Sequence, residues 1–77
     1  MSTPEQLRAG RALLGLSQPA VATMAKVSSM TIKRAEGSSK PPASSEAVAA
    51  IRAALEAAGV VFLPENGNGP GVALRKV

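Results

Sequence analysis

Small and aliphatic residues stand at Val21, Ala22, Ala25, Val27, Ile32 and Ala35, with polar residues between them. That spacing predicts two short helices crossing at a steep angle through a tight turn, the second leaving small, hydroxylated and basic side chains on its outer face. A second helical stripe, Val48, Ile51, Leu55 and Ala58, lies opposite Glu46, Ala49, Ala53 and Glu56 when residues are placed about 100° apart. This helix is expected to close the core beneath those before it. Its Ala-rich outer side reads as a weakly polar solvated surface, with a helix-packing partner as the alternative. Past Gly59 the period changes: residues 60–63 and 72–77 are β-prone runs joined by PENGNGPG, whose Asn-Gly and Pro-Gly pairs are turn material. They predict a β-hairpin with a long, mobile tip, which, marginal alone, packs on the helices or pairs with a second copy through its edge.

Punctuation between these runs is consistent with that division. Thr3-Pro4-Glu5-Gln6 has the form of a capping box, so a first helix runs to about Leu14 and ends at Gly15. Ser17 opens a second helix, although Pro19 biases Gln18 away from α geometry and leaves Pro19 as an alternative first residue; the helix ends near Ala25. Ser28 caps a third, over 29–36, which Gly37 terminates. After the loop SSKPPAS, Ser44 or Ser45 caps the fourth, which continues to about Ala58 with Glu46 in its first turn. The chain divides on this reading into a helical unit, 1–59, and a C-terminal hairpin, 60–77. Gly67, Gly69 and Gly71 superficially resemble a phosphate-binding loop, but no helix follows and the lysine of such loops is missing, so they read as a flexible turn.

Composition narrows the chemistry. The 77 residues include no Cys and no His, which leaves no thiol or imidazole for a metal, a disulfide or catalysis. The carboxylates show no paired acid and base at useful spacing, so an enzyme is not expected, nor is a cofactor. The Ala-rich stretch 47–62 is broken by Arg52 and Glu56 and does not form a membrane span. No helix joins a basic stripe to a bulky apolar face, which disfavours a membrane-surface role. No export signal is visible, and a cytoplasmic setting is expected. Nine Lys and Arg against five acids give a net charge of +4 and favour an anionic partner. With Phe62 the only aromatic, single-stranded nucleic acid, which stacks on several aromatic side chains, is disfavoured relative to duplex DNA.

With Gln18 to Ala35 in place, the chain resembles the phage repressor and Cro family of XRE-type regulators. The resemblance spans residues 7–55, taking in Leu7, Arg11 and Leu14 of the first helix, Leu16-Ser17-Gln18, the Val27-Ser28 turn, Ile32 and Glu36-Gly37. It implies a mainly α fold: a four-helix, repressor-like helix-turn-helix domain, here followed by a short C-terminal β-hairpin. It also implies that Ser29, Met30, Thr31 and Arg34 of the third helix read bases in the major groove. Arg34 is the strongest of these, since a guanidinium donates two bonds to guanine, while Met30 suits a thymine methyl. Gln18 corresponds to the family's phosphate clamp. Lys33, Lys40, Arg8 and Lys26 are candidate phosphate contacts by charge and placement, with a salt-dependent contribution. Arg11 and Glu36 stand where the family has a partly buried ion pair, a structural role. Two positions depart from the family: Lys26 occupies a turn position usually held by Gly, and Ala35 one usually held by a larger residue.

The resulting expectation is a sequence-specific, double-stranded-DNA-binding transcription regulator, a homodimer on a two-fold symmetric operator with recognition helices about 34 Å apart. The hairpin, through Val60, Phe62, Val72 and Leu74, is the candidate dimerisation element, with the fourth helix as fallback. The alternative is a protein-interaction module, such as an antitoxin or antiactivator, that presents its basic and Ala-rich faces to an acidic partner.

Overall fold

Hydroxyl side chains open each helix of the computed structural model, which describes residues 2–64, 67 and 69–75. Thr3 caps α1 (Pro4–Leu14), Ser17 caps α2 (Gln18–Ala25), Ser28 caps α3 (Ser29–Ala35) and Ser44 caps α4 (Ser45–Ala57). In each case the hydroxyl oxygen accepts the main-chain N–H three residues on, satisfying a donor that the helix leaves unpaired, worth about 1 kcal/mol apiece. At Thr3 the box is reciprocal, because Gln6 Oε1 accepts from the Thr3 N–H at 2.9 Å. Pro19 falls at the second position of α2, where its missing N–H costs no helical bond, so α2 starts at Gln18. α3 ends at Ala35, with Glu36 as its cap and Gly37 beyond it at φ 82°.

The turn between α2 and α3 passes through Lys26 at φ 59°, the one described non-glycine residue with positive φ. A side chain there costs on the order of 1 kcal/mol, and the chain retains it between two capped helices. Gly59, at φ 112°, is different: that conformation is open essentially to glycine alone, and it lets the chain leave α4 and enter a strand almost at once.

Leu7, Val21, Ala22, Ile32, Ala35, Ile51, Leu55 and Val60 form the core, all at most 3% exposed. α4 supplies Ile51 and Leu55 and packs under α1, α2 and α3. Truncating either side chain to Ala costs about 2–5 kcal/mol by analogy with other buried aliphatic sites. Val48 is half-buried, and Glu46, Ala49, Ala53 and Glu56 are exposed as the periodicity requires. Ala58 does not extend the apolar stripe: it lies past the last helical residue, as the C-cap, and is exposed.

Strands β1 (Val60–Leu63) and β2 (Gly71–Leu74) form an antiparallel pair in which Val60 faces Leu74, Val61 faces Ala73, Phe62 faces Val72 and Leu63 faces Gly71. The second strand is shorter than the predicted 72–77, and its Lys76 and Val77 lie outside the described residues. The expected mobile tip falls in part outside them, at Glu65, Asn66 and Asn68. Val60, Phe62 and Val72 turn inward against α1 and α4, while Val61 and Leu63 point outward and are 38% and 41% exposed.

This packing bears on two of the expectations. Of the four candidate dimer residues, the Val60 side chain, 2% exposed, belongs to the core, those of Phe62 and Val72 are partly buried against it, and that of Leu74 is 49% exposed. The helical part and the hairpin, on either side of Gly59, also pack against each other. A Cβ on Gly10 of α1 would meet Val60 Cγ1 at 3.2 Å and Leu55 Cδ1 at 3.4 Å, which shows how closely hairpin and helices share one interior. Gln6, 5% exposed, ties them further: its Nε2 donates to Leu63 O at 3.2 Å and to Gly71 O at 3.0 Å.

Candidate nucleic-acid interface

α3 is fixed from beneath by Ile32, fully buried, and Ala35, and at its end by Glu36. Glu36, 3% exposed, is the hub of a polar network. Arg11 Nε donates to its Oε2 at 2.7 Å and Arg11 Nη2 to its Oε1 at 3.0 Å, a two-pronged pairing of guanidinium and carboxylate. Arg11 Nη1 donates to Leu16 O at 3.0 Å, and Gln18 Nε2 to Glu36 Oε1 at 3.1 Å. One buried carboxylate thus ties α1, the loop after it, the start of α2 and the end of α3. The hydrogen bond from Arg11 to Glu36 raises the guanidinium's pKa above its ordinary value, against the opposing effect of burial.

On the outer side of α3, Met30 is 45% exposed and Lys33 is exposed, while Ser29 and Thr31 are half-buried. The Thr31 hydroxyl lies 2.9 Å from the Ser28 hydroxyl and so belongs to the cap of the helix. Arg34 is half-buried, and its Nε is buried with no hydrogen-bond partner among the described residues. Such an orphan donor is uncommon; being closed to solvent, Nε leaves any outside contact of this side chain to the other nitrogens of the guanidinium.

Residues 26–40 carry Lys26, Lys33, Arg34 and Lys40 against the single acid Glu36, which Arg11 already pairs. Lys26, Lys33 and Lys40 are exposed, and none of them is in an ion pair among the described residues. Arg8 is exposed on α1, well away from the Gln6 side that meets the hairpin. Of the acids, Glu5 sits in the first turn of α1 and Glu46 and Glu56 on α4; Glu56 pairs with Arg52 at 3.3 Å.

Gln18 is placed differently from a free clamp. Its amide is half-buried and one N–H is spent on Glu36, leaving a second N–H and the amide oxygen for any other partner. The hairpin anchor Gln6 was legible in the sequence only as half of a capping box, since nothing in TPEQ indicates what a distant strand brings to its amide nitrogen. The stacking of Arg52 on Phe62, 4.7 Å from the ring centre, was equally beyond reach of local spacing.

The described residues hold no cluster of His, Cys, Asp or Glu suited to a metal. Among them no helix is long and apolar enough to cross a membrane. A shallow groove lined by Thr3, Gln6, Arg52, Phe62, Leu63, Pro64 and Pro70 takes no residue from α2 or α3 and is separate from the cationic surface. Compared with known proteins, the chain matches no family model and no curated protein.

Proposed function

We propose that the chain is a helix-turn-helix regulator of the XRE type that binds double-stranded DNA sequence-specifically as a homodimer. The observation that carries this reading is α3: a short helix seated on Ile32 and Ala35 that exposes Met30 and Lys33 and bears the half-buried Arg34, in a stretch whose exposed Lys26, Lys33 and Lys40 have no ion-pair partner among the described residues. The major groove, about 12 Å wide, admits an α-helix, whose diameter with side chains is about 10–12 Å. Arg34 donates to guanine O6 and N7, Met30 covers a thymine methyl, and Ser29 contributes a permissive hydroxyl. Thr31, engaged with Ser28, mainly holds the helix start.

Lys33, Lys26, Lys40 and Arg8 meet phosphates, and the free N–H of Gln18 adds a hydrogen bond to the backbone near the start of α2. These contacts position without specifying. The Arg11–Glu36 pair keeps α3 at a fixed angle and makes no contact with DNA.

Selection of preferred duplexes from a random pool at physiological salt tests the reading. The expected product is a two-fold symmetric site with half-sites one helical turn apart, and Arg34→Ala relaxes preference at a guanine in each half-site while retaining non-specific affinity. Equal binding to every duplex overturns it.

A further inference from the structure

Resting on the homodimer reading, we infer that the two copies join through the free edge of β2, antiparallel to β2 of the second copy, about a two-fold axis at Ala73. The phase of the hairpin ladder carries this. In an antiparallel pair, alternate residues turn their main-chain N–H and C=O toward the partner strand and away from it. The Arg75 N–H donates to Gly59 O at 2.7 Å. Counting by twos from that bond makes Val61 with Ala73 and Leu63 with Gly71 the hydrogen-bonded pairs. Gln6 fits the same phase, because one nitrogen reaches both Leu63 O and Gly71 O only if those carbonyls point between the strands. Val72 and Leu74 therefore turn their main-chain groups outward, one residue to each side of Ala73.

That edge is complementary to itself. With Ala73 on the axis, Val72 faces Leu74 of the second copy and Leu74 faces its Val72, each pair exchanging two main-chain hydrogen bonds. The small Ala73 side chains meet at the non-bonded pair, where strands approach most closely. Arg75 falls opposite Gly71 of the second copy, so no two cations oppose one another. The side chains agree: Leu74 is 49% exposed, and Leu13, 43% exposed, continues the α1 stripe of Gln6 and Gly10 toward the same end of the hairpin. A two-stranded sheet is marginal alone, and this contact makes it four-stranded.

The β1 edge is unsuited. Its outward groups belong to Val60, which is buried, and to Phe62, on whose ring Arg52 stacks while bonded to Ser2 and Glu56. Charge beside a strand guards it against pairing; within β2, Gly-Val-Ala-Leu, there is none, and Arg75, just past its end, falls opposite a glycine.

Because the chain lacks cysteine, one introduced thiol reports the register. Across the axis the Ala73 Cα atoms stand about 4.5 Å apart, within disulfide range. Full-length Ala73→Cys and Val61→Cys are oxidised under mild conditions and resolved on non-reducing gels, with light scattering of the parent chain alongside. The expected result is a mass twice that of the 7.7 kDa chain, and covalent dimer from Ala73→Cys but not from Val61→Cys. Leu74→Pro, which removes an outward N–H and leaves the ladder intact, weakens the dimer with its helical circular dichroism unchanged. A doubled mass with cross-linking at Val61→Cys, or at neither position, overturns the β2 interface and leaves the homodimer standing. A single-chain mass overturns both.

Discussion

Glu36 accepts three hydrogen bonds while almost wholly withdrawn from water, so its charge is tolerated only because Arg11 stands against it. Glu36→Gln keeps the shape, removes the charge and leaves the guanidinium without its counter-ion. The expected cost is about 3 kcal/mol, a large part of the 5–15 kcal/mol typical of whole domains. Urea unfolding shows it as a lower midpoint at an unchanged slope. Since the pair raises Arg11 above an already high pKa, its contribution is present throughout the neutral and mildly alkaline range and is lost only as pH climbs past that raised value. Lys26 makes the opposite case. Held at φ 59°, it gains from Lys26→Gly, which relieves the left-handed strain at some cost in unfolded-state freedom. A net rise of about 0.5 kcal/mol, a few degrees in Tm, is expected, together with weaker binding to DNA if the lysine meets a phosphate. Unchanged salt dependence after this substitution removes Lys26 from the set of phosphate contacts.

At the scale of elements, α1 is a platform for the hairpin. A Cβ on Gly10 already crowds Val60 Cγ1 at 3.2 Å, which must give by a few tenths of an ångström, so the larger side chain of Gly10→Val is expected to loosen the hairpin on the helix. Overpacking of this kind costs about 1–3 kcal/mol, and hydrogen exchange localises it as lost protection at Val61 and Ala73. An intact hairpin in that variant counts against the packing described. This contact also marks what the sequence could convey. Caps, periodicity and turn residues made the helices and the hairpin legible because each signal acts over three or four positions: Thr3 with Gln6, Ser28 with Thr31, Ile51 with Leu55. The inward turn of Val60 was not legible, because alternation along a strand gives two faces without saying which one meets the helices. Gln6, whose nitrogen bonds carbonyls 57 and 65 residues away, and the unpaired Nε of Arg34 depend on tertiary neighbours for the same reason. Arg11 and Glu36, 25 residues apart, were paired only through the family resemblance.

For the molecule as a whole, salt titration joins the cationic surface to the assembly. Each phosphate neutralised by a lysine or arginine releases condensed counterions, and log K falls against log salt with a slope of about −0.9 per contact on duplex DNA. In a homodimer every contact occurs twice. Lys33→Ala, removing an exposed cation with no ion-pair partner among the described residues, is therefore expected to make the slope shallower by about 1.8, against about 0.9 for a single bound chain. Its effect is the same on a selected site and on random duplex, since a phosphate carries no sequence. Arg34→Ala is expected to behave conversely, losing most of the preference for the selected site with a smaller change in slope. A Lys33→Ala slope equal to that of the parent removes this residue from the interface, and a shift near 0.9 on a two-fold site means that one α3 at a time is engaged.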